Sequence, residues 1–70
     1  MDLNDKLRIN LEIQRIIDKQ ILIAQEQLKL SRELEKDPNN QELLNQIKKL
    51  SDEKNQLYAK SKELEKKLFE

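Results

Sequence analysis

The chain contains no cysteine, no histidine, no glycine and no tryptophan, and only one proline. Without cysteine there are no disulfides and no thiolate nucleophile, and without histidine there is no imidazole base; a soft metal site is missing for both reasons. Without glycine there is no phosphate-cradling Gly-rich loop. Aromatic residues make up 3% of the chain, which is poor material for a β-sandwich or barrel. The longest apolar runs, Ile16-Ile17 and "ILIA" at residues 21–24, are far shorter than a membrane span. The first residues, "MDLNDKLR", carry acids and lack the basic-then-apolar order of a secretion signal. The compartment expected by default is the cytosol, with no membrane partner and no cofactor.

What remains is mostly Leu, Ile, Lys, Glu and Gln, with 40% charged and 36% apolar residues over 70 positions. Apart from β-branched Ile these are good helix formers, and so short a chain makes at most one domain. Charge is balanced within each half as well as overall, with seven basic and seven acidic residues in 1–36 and the same in 37–70. Neither half is an acidic or basic tail, so no long-range field favours nucleic acid or an anionic membrane.

The proline lies in "EKDPNNQE", residues 35–42. A residue before proline is pushed out of the α region, which predicts a first helix over about 3–36 ending with a favourable cation, Lys36. Asn39 or Asn40 is placed to cap a second helix over about 41–69, and Glu42, three residues after Asn39, would complete a variant capping box. The "DPNN" of residues 37–40 resembles the inter-repeat turn of tetratricopeptide repeats. That resemblance covers the turn alone and implies a helix-turn-helix connection; the helices are about twice the repeat's length and its small-residue signature is missing.

In helix 2 the apolar seam is Leu43, Ile47, Leu50, Lys54, Leu57, Ser61, Leu64 and Leu68, at alternating spacings of four and three. Helix 1 carries the matching series Ile9, Ile13, Ile16, Gln20, Ile23, Gln27, Leu30 and Leu34. Folded at residues 38–39, the two series face each other in antiparallel register, and the numbers of every facing pair add to 77. Register kept over eight layers predicts an all-α antiparallel two-helix coiled-coil hairpin, with arms roughly 45–50 Å long at 1.5 Å per residue. Its core is expected at Ile9, Ile13, Ile16, Ile23, Leu30, Leu34, Leu43, Ile47, Leu50, Leu57, Leu64 and Leu68. The polar seam residues Gln20, Gln27, Lys54 and Ser61 each face an apolar partner. They read as register control in a narrow seam, and the other reading is a mid-arm polar cluster that contacts a ligand.

Helix 1 has more apolar residues than this seam uses. A second stripe runs beside it through Leu3, Leu7, Asn10, Gln14, Ile17, Ile21, Ala24, Leu28 and Ser31. The equivalent row of helix 2, Leu44, Lys48, Ser51, Asn55, Tyr58, Lys62, Glu65 and Phe69, is mostly polar. A two-helix hairpin buries only one of helix 1's two apolar faces, and a contiguous exposed apolar patch marks an interaction site. The interface is therefore expected at Leu7, Gln14, Ile17, Ile21, Ala24 and Leu28. It would serve a homodimer through helix 1 that forms a four-helix bundle, or a helical partner protein.

No constellation in the chain supports catalysis. Glu33 and Asp37 lie four apart but beside Arg32 and Lys36, as on any solvated helix face. "LSRELEK", residues 30–36, resembles the short Ser-Gln-Glu-Leu-Asp motif of the sporulation-phosphorelay aspartyl phosphatases, which are also helical hairpins. Ser31, Glu33 and Leu34 match; Arg32 and Glu35 replace the family's Gln and Asp, and the match precedes the turn whereas the family's motif follows it. A Ser-x-Glu-Leu string is common in helices, so no activity is inferred from the match.

Lys60, Lys62, Lys66 and Lys67 give the end of helix 2 a local basic density, interleaved with Glu63, Glu65 and Glu70. Small hairpin dimers of the plasmid RNA-modulator type bind RNA along a helix face, so RNA binding is the alternative class. The expectation is a non-enzymatic structural or protein–protein interaction module: a small chaperone, adaptor or regulator. In size and shape such a molecule is similar to the hairpin co-chaperones of type III secretion needles, without sharing a motif. An engineered or model coiled coil would also show this register.

Overall fold

The computed structural model describes residues 2–70 and consists of two helices, α1 (Leu3–Lys36) and α2 (Gln41–Leu68), folded back on each other as a hairpin. Asp2 starts α1: its Oδ1 accepts from the Asp5 amide at 2.9 Å, and Lys6 N–H donates to the Asp2 carbonyl. One of the four orphan donors of the first turn is satisfied in this way, and the acid at Asp5 suits the positive end of the helix.

α1 stops where Pro38 requires. Asp37 sits at φ −144° and ψ 70°, outside the helical region, and its N–H donates to the Leu34 carbonyl. Asn40 then performs three tasks. Its N–H donates to the Asp37 carbonyl, its Nδ2 donates to Asp37 Oδ2 at 3.1 Å, and its Oδ1 accepts from the Leu43 amide at 3.2 Å. The cap is thus Asn40 and not Asn39. Leu43 fills the third helical position, so the capping box read from Asn39 and Glu42 does not form; Glu42 instead adds an acid to the first turn. No described residue has a positive φ, so the reversal is made without glycine. At the far end Lys66 and Lys67 lie beside the exposed carbonyls of α2, and Phe69 N–H caps the Glu65 carbonyl.

The core lies along the seam. All sixteen seam residues are buried or half-buried, whereas elsewhere among the described residues only Glu12, Ala24, Asn40, Ser51 and Glu65 are less than exposed. Full burial is confined to Ile16, Ile23, Leu30, Ser61 and Leu64. In the 77 register Ile16 faces Ser61, where the small side chain lets the isoleucine reach 4% exposure. Ser61 satisfies itself, its Oγ donating to the Tyr58 carbonyl at 2.8 Å. No buried side-chain nitrogen or oxygen among the described residues lacks a partner.

Its shape is a rod, 52 × 15 × 13 Å, with a radius of gyration of 16.1 Å. A compact chain of this length would have a radius near about 11 Å. Accessible surface is 5772 Å², against about 4,600 Å² for a compact monomer of this mass. The excess is the geometric result of packing two helices with nothing on either flank.

Candidate functional site

The seam divides the hairpin into two long sides of opposite character. On one side lie residues just before alternate seam positions, Glu12, Lys19 and Glu26 on α1 with Asp5 seven residues ahead of Glu12 in the same row, and Lys67, Lys60, Glu53 and Gln46 on α2. Lys60 Nζ reaches Glu12 Oε1 at 3.4 Å across the hairpin. The same diagonal offset, five residues from the level position, relates Asp5 to Lys67 and Lys19 to Glu53, so this row is charge-complementary along most of its length. Shallow grooves open on this side, one of them between Arg8, Arg15, Ile16, Lys19, Leu57 and Lys60. Their rims are mostly charged side chains.

The opposite side is made by residues one place after each seam position. On α1 these are the second stripe, and the structure leaves its large members uncovered: Leu3, Leu7, Ile17, Ile21 and Leu28 are exposed by 70, 56, 39, 51 and 55%. Ala24 is half-buried, while Gln14 is exposed and donates from Nε2 to Asp18 Oδ1 at 3.4 Å. Of the six interface residues read from sequence, Ala24 therefore lies partly in the seam's shoulder and the other five face outward.

α2 adds apolar side chains to the same side. Leu44, Tyr58 and the 86%-exposed Phe69 belong to the row that flanks α1's stripe. Taken alone that row is mostly polar, and nothing in α2's own periodicity marks them. Leu11 and Leu22 are also exposed, away from the stripe: Leu11 lines the groove of the charged side with Arg8 and Glu12, and Leu22 lies just before seam residue Ile23.

Two charges on the apolar side, Lys62 and Glu65, pair with each other. Lys62 Nζ stands 3.5 Å from Glu65 Oε2 and 5.3 Å from the centroid of the Tyr58 ring. Glu65 foremost, then Tyr58, raises the Lys62 pKa above the ordinary 10.5. The basic density read at the end of α2 is thus divided in space. Lys60 turns to Glu12 on one flank and Lys62 to Glu65 on the other, and Lys60 shares its groove with Arg8, Arg15 and Lys19.

The polar seam residues sit within the core and form no outward cluster: Ser61 is buried, and Gln20, Gln27 and Lys54 are half-buried. Chemically, the arrangement offers one long apolar strip on a rigid two-helix support, of a width that suits another helix. Among the described residues no helix is long and apolar enough to cross a membrane. No protein-family model, curated protein or solved structure matches the chain.

Proposed function

We propose that this protein is a non-enzymatic interaction module, a small helical-hairpin adaptor, chaperone or regulator, that works by docking a helical surface onto the apolar side of α1. One observation carries this reading: Leu3, Leu7, Ile17, Ile21 and Leu28 project along a single side of a hairpin whose seam is already filled. Removing a half-exposed Leu or Ile from water is worth about 1 kcal/mol each, so a partner that covers the strip gains several kcal/mol from it. The Lys60–Glu12 pair on the charged side is solvated and contributes little to holding a partner.

The test is the double substitution Ile17→Glu with Ile21→Glu. Both side chains lie outside the hairpin core, so helix content by circular dichroism is retained while association, followed by light scattering behind a sizing column, is lost. Association that survives the substitution would place the interface elsewhere.

A further inference from the structure

On the apolar side, both helices carry a pattern that reads alike from either end. α1 runs Leu3, Leu7, Asn10, Gln14, Ile17, Ile21: two apolar, two amide, two apolar. α2 runs Tyr58, Lys62, Glu65, Phe69: apolar, cation, anion, apolar. The first pattern is centred on residue 12 and the second between residues 63 and 64. In the hairpin register, residue 12 is level with residue 65, so the two centres coincide to within about 2 Å along the rod at 1.5 Å per residue. A surface with that symmetry, and with its one cation and one anion exchanged about the centre, is complementary to itself turned end over end.

We propose that the apolar side is closed by a second copy of this chain, the two hairpins antiparallel about a two-fold axis level with residue 12, α1 against α1 and α2 against α2. This rests on the reading of that side as an interaction surface, and names its occupant. Leu3 then meets Ile21 of the second copy, and Leu7 meets Ile17. The amides of Asn10 and Gln14 meet each other, which sets the register as a polar layer does in a coiled coil. On the other arm Tyr58 meets Phe69, and Lys62 of each copy meets Glu65 of the other, giving two reciprocal ion pairs.

The alternative two-fold, along the rod, sets equal heights against each other. It would place Leu7 against Phe69, but also Leu28 against Lys48, Ile21 against Asn55 and Lys62 against Gln14, so most apolar area is spent on polar groups and the charge exchange is lost. The end-over-end overlap runs from residue 3 to residue 21 of α1, about 27 Å. Two helices wide, it buries on the order of 1,100 Å² over both copies, near the lower edge of stable interfaces. A dimer that dissociates on dilution is the result.

The absence of cysteine makes the test direct. Two single variants, Leu7→Cys and Ile17→Cys, alter side chains outside the hairpin core. Circular dichroism checks that each remains folded, and the two are mixed in equal amounts, oxidised, and the products separated by mass. The expected result is a mixed disulfide in excess of both like-with-like products, together with a concentration-dependent mass of the unsubstituted chain approaching twice 8.4 kDa. In this arrangement two Leu7→Cys thiols stand about 15 Å apart along the rod, beyond the roughly 7 Å Cα separation a disulfide spans.

A dominant Leu7→Cys like-with-like product would overturn the end-over-end pairing in favour of hairpins that meet α1 to α1 in parallel, and no excess of the mixed disulfide would overturn it as well. A single 8.4 kDa species at every concentration would overturn the second copy as occupant. These results leave the docking strip itself standing. By contrast, a dimer that persists after Ile17→Glu with Ile21→Glu overturns the strip as an interface.

Discussion

Lys60 of α2 reaches across the hairpin to Glu12 of α1, Nζ to Oε1 at 3.4 Å, with more than 40% of each side chain in water. It is the cross-hairpin ion pair that reports the antiparallel register, yet it contributes little to stability. Exposed pairs are worth about 0–1 kcal/mol and are screened by salt. Glu12→Gln is therefore expected to lower unfolding free energy by less than about 1 kcal/mol. The loss should shrink further at high salt. Urea unfolding at two ionic strengths measures both.

Ile23 presents the opposite case. At 7% exposure, it sits in the seam opposite Lys54, and removing its side chain leaves a cavity in a core that has few fully buried members. Ile23→Ala is expected to cost about 2–5 kcal/mol. Leu57→Ala, at a half-buried seam position, costs less. A small domain holds roughly 5 kcal/mol or less in total, so the first variant should lose much of its helical signal at room temperature and the second should keep most of it. Equal effects would mean that burial along the seam is more even than the exposures indicate.

Ser61 is the buried polar residue whose replacement should be harmless. Its hydroxyl bonds only to the Tyr58 carbonyl one turn back, so Ser61→Ala strands no partner on the facing helix. Alanine is the better helix former by about 0.5 kcal/mol, and the expected change in unfolding midpoint is small and upward. Ser61→Asp at the same site buries a charge against Ile16 and should unfold the hairpin. Thermal unfolding followed by circular dichroism separates the two outcomes.

Lys62 gives the pH dependence. Glu65, then Tyr58, raises its pKa above the ordinary 10.5, so the ammonium is held in the folded chain. A raised folded-state pKa contributes stability that is fully present below 10.5 and is lost as pH rises through the higher folded value. No change from this group is expected between neutral pH and pH 9 or so. Following the Lys62 side chain by NMR should show its midpoint falling back towards the ordinary value in Glu65→Gln. An unmoved midpoint would assign the effect to Tyr58.

Much of this fold is written in local spacing. The fours and threes of Ile9 to Leu34 and of Leu43 to Leu68, with Pro38 between them, are enough to place both helices and the side each presents to the other. What the spacing does not contain is anything that arises only when the helices are laid together. Tyr58 and Phe69 are isolated apolar residues in a polar row, and they gain meaning only beside α1's stripe. Glu12 and Lys60 are ordinary surface charges until the hairpin makes them neighbours. Asn39 and Asn40 are equivalent caps on paper. Asn40 is the one that caps because it alone also reaches back to the carboxylate and carbonyl of Asp37.

The turn also bears on how the arms of different copies sort themselves. Every seam contact of one hairpin could equally be made by α1 of one chain with α2 of another, so the seam alone does not oppose exchange of arms, the usual route to domain-swapped dimers. Opening the hairpin for such an exchange is easiest if α1 and α2 fuse into one straight helix. Pro38 would then lie inside it, with a missing hydrogen bond and a ring pressed on the Leu34 carbonyl, at about 3 kcal/mol per chain. That carbonyl is already engaged by Asp37 N–H in the folded turn. The single proline thus keeps each chain's second arm with its own first.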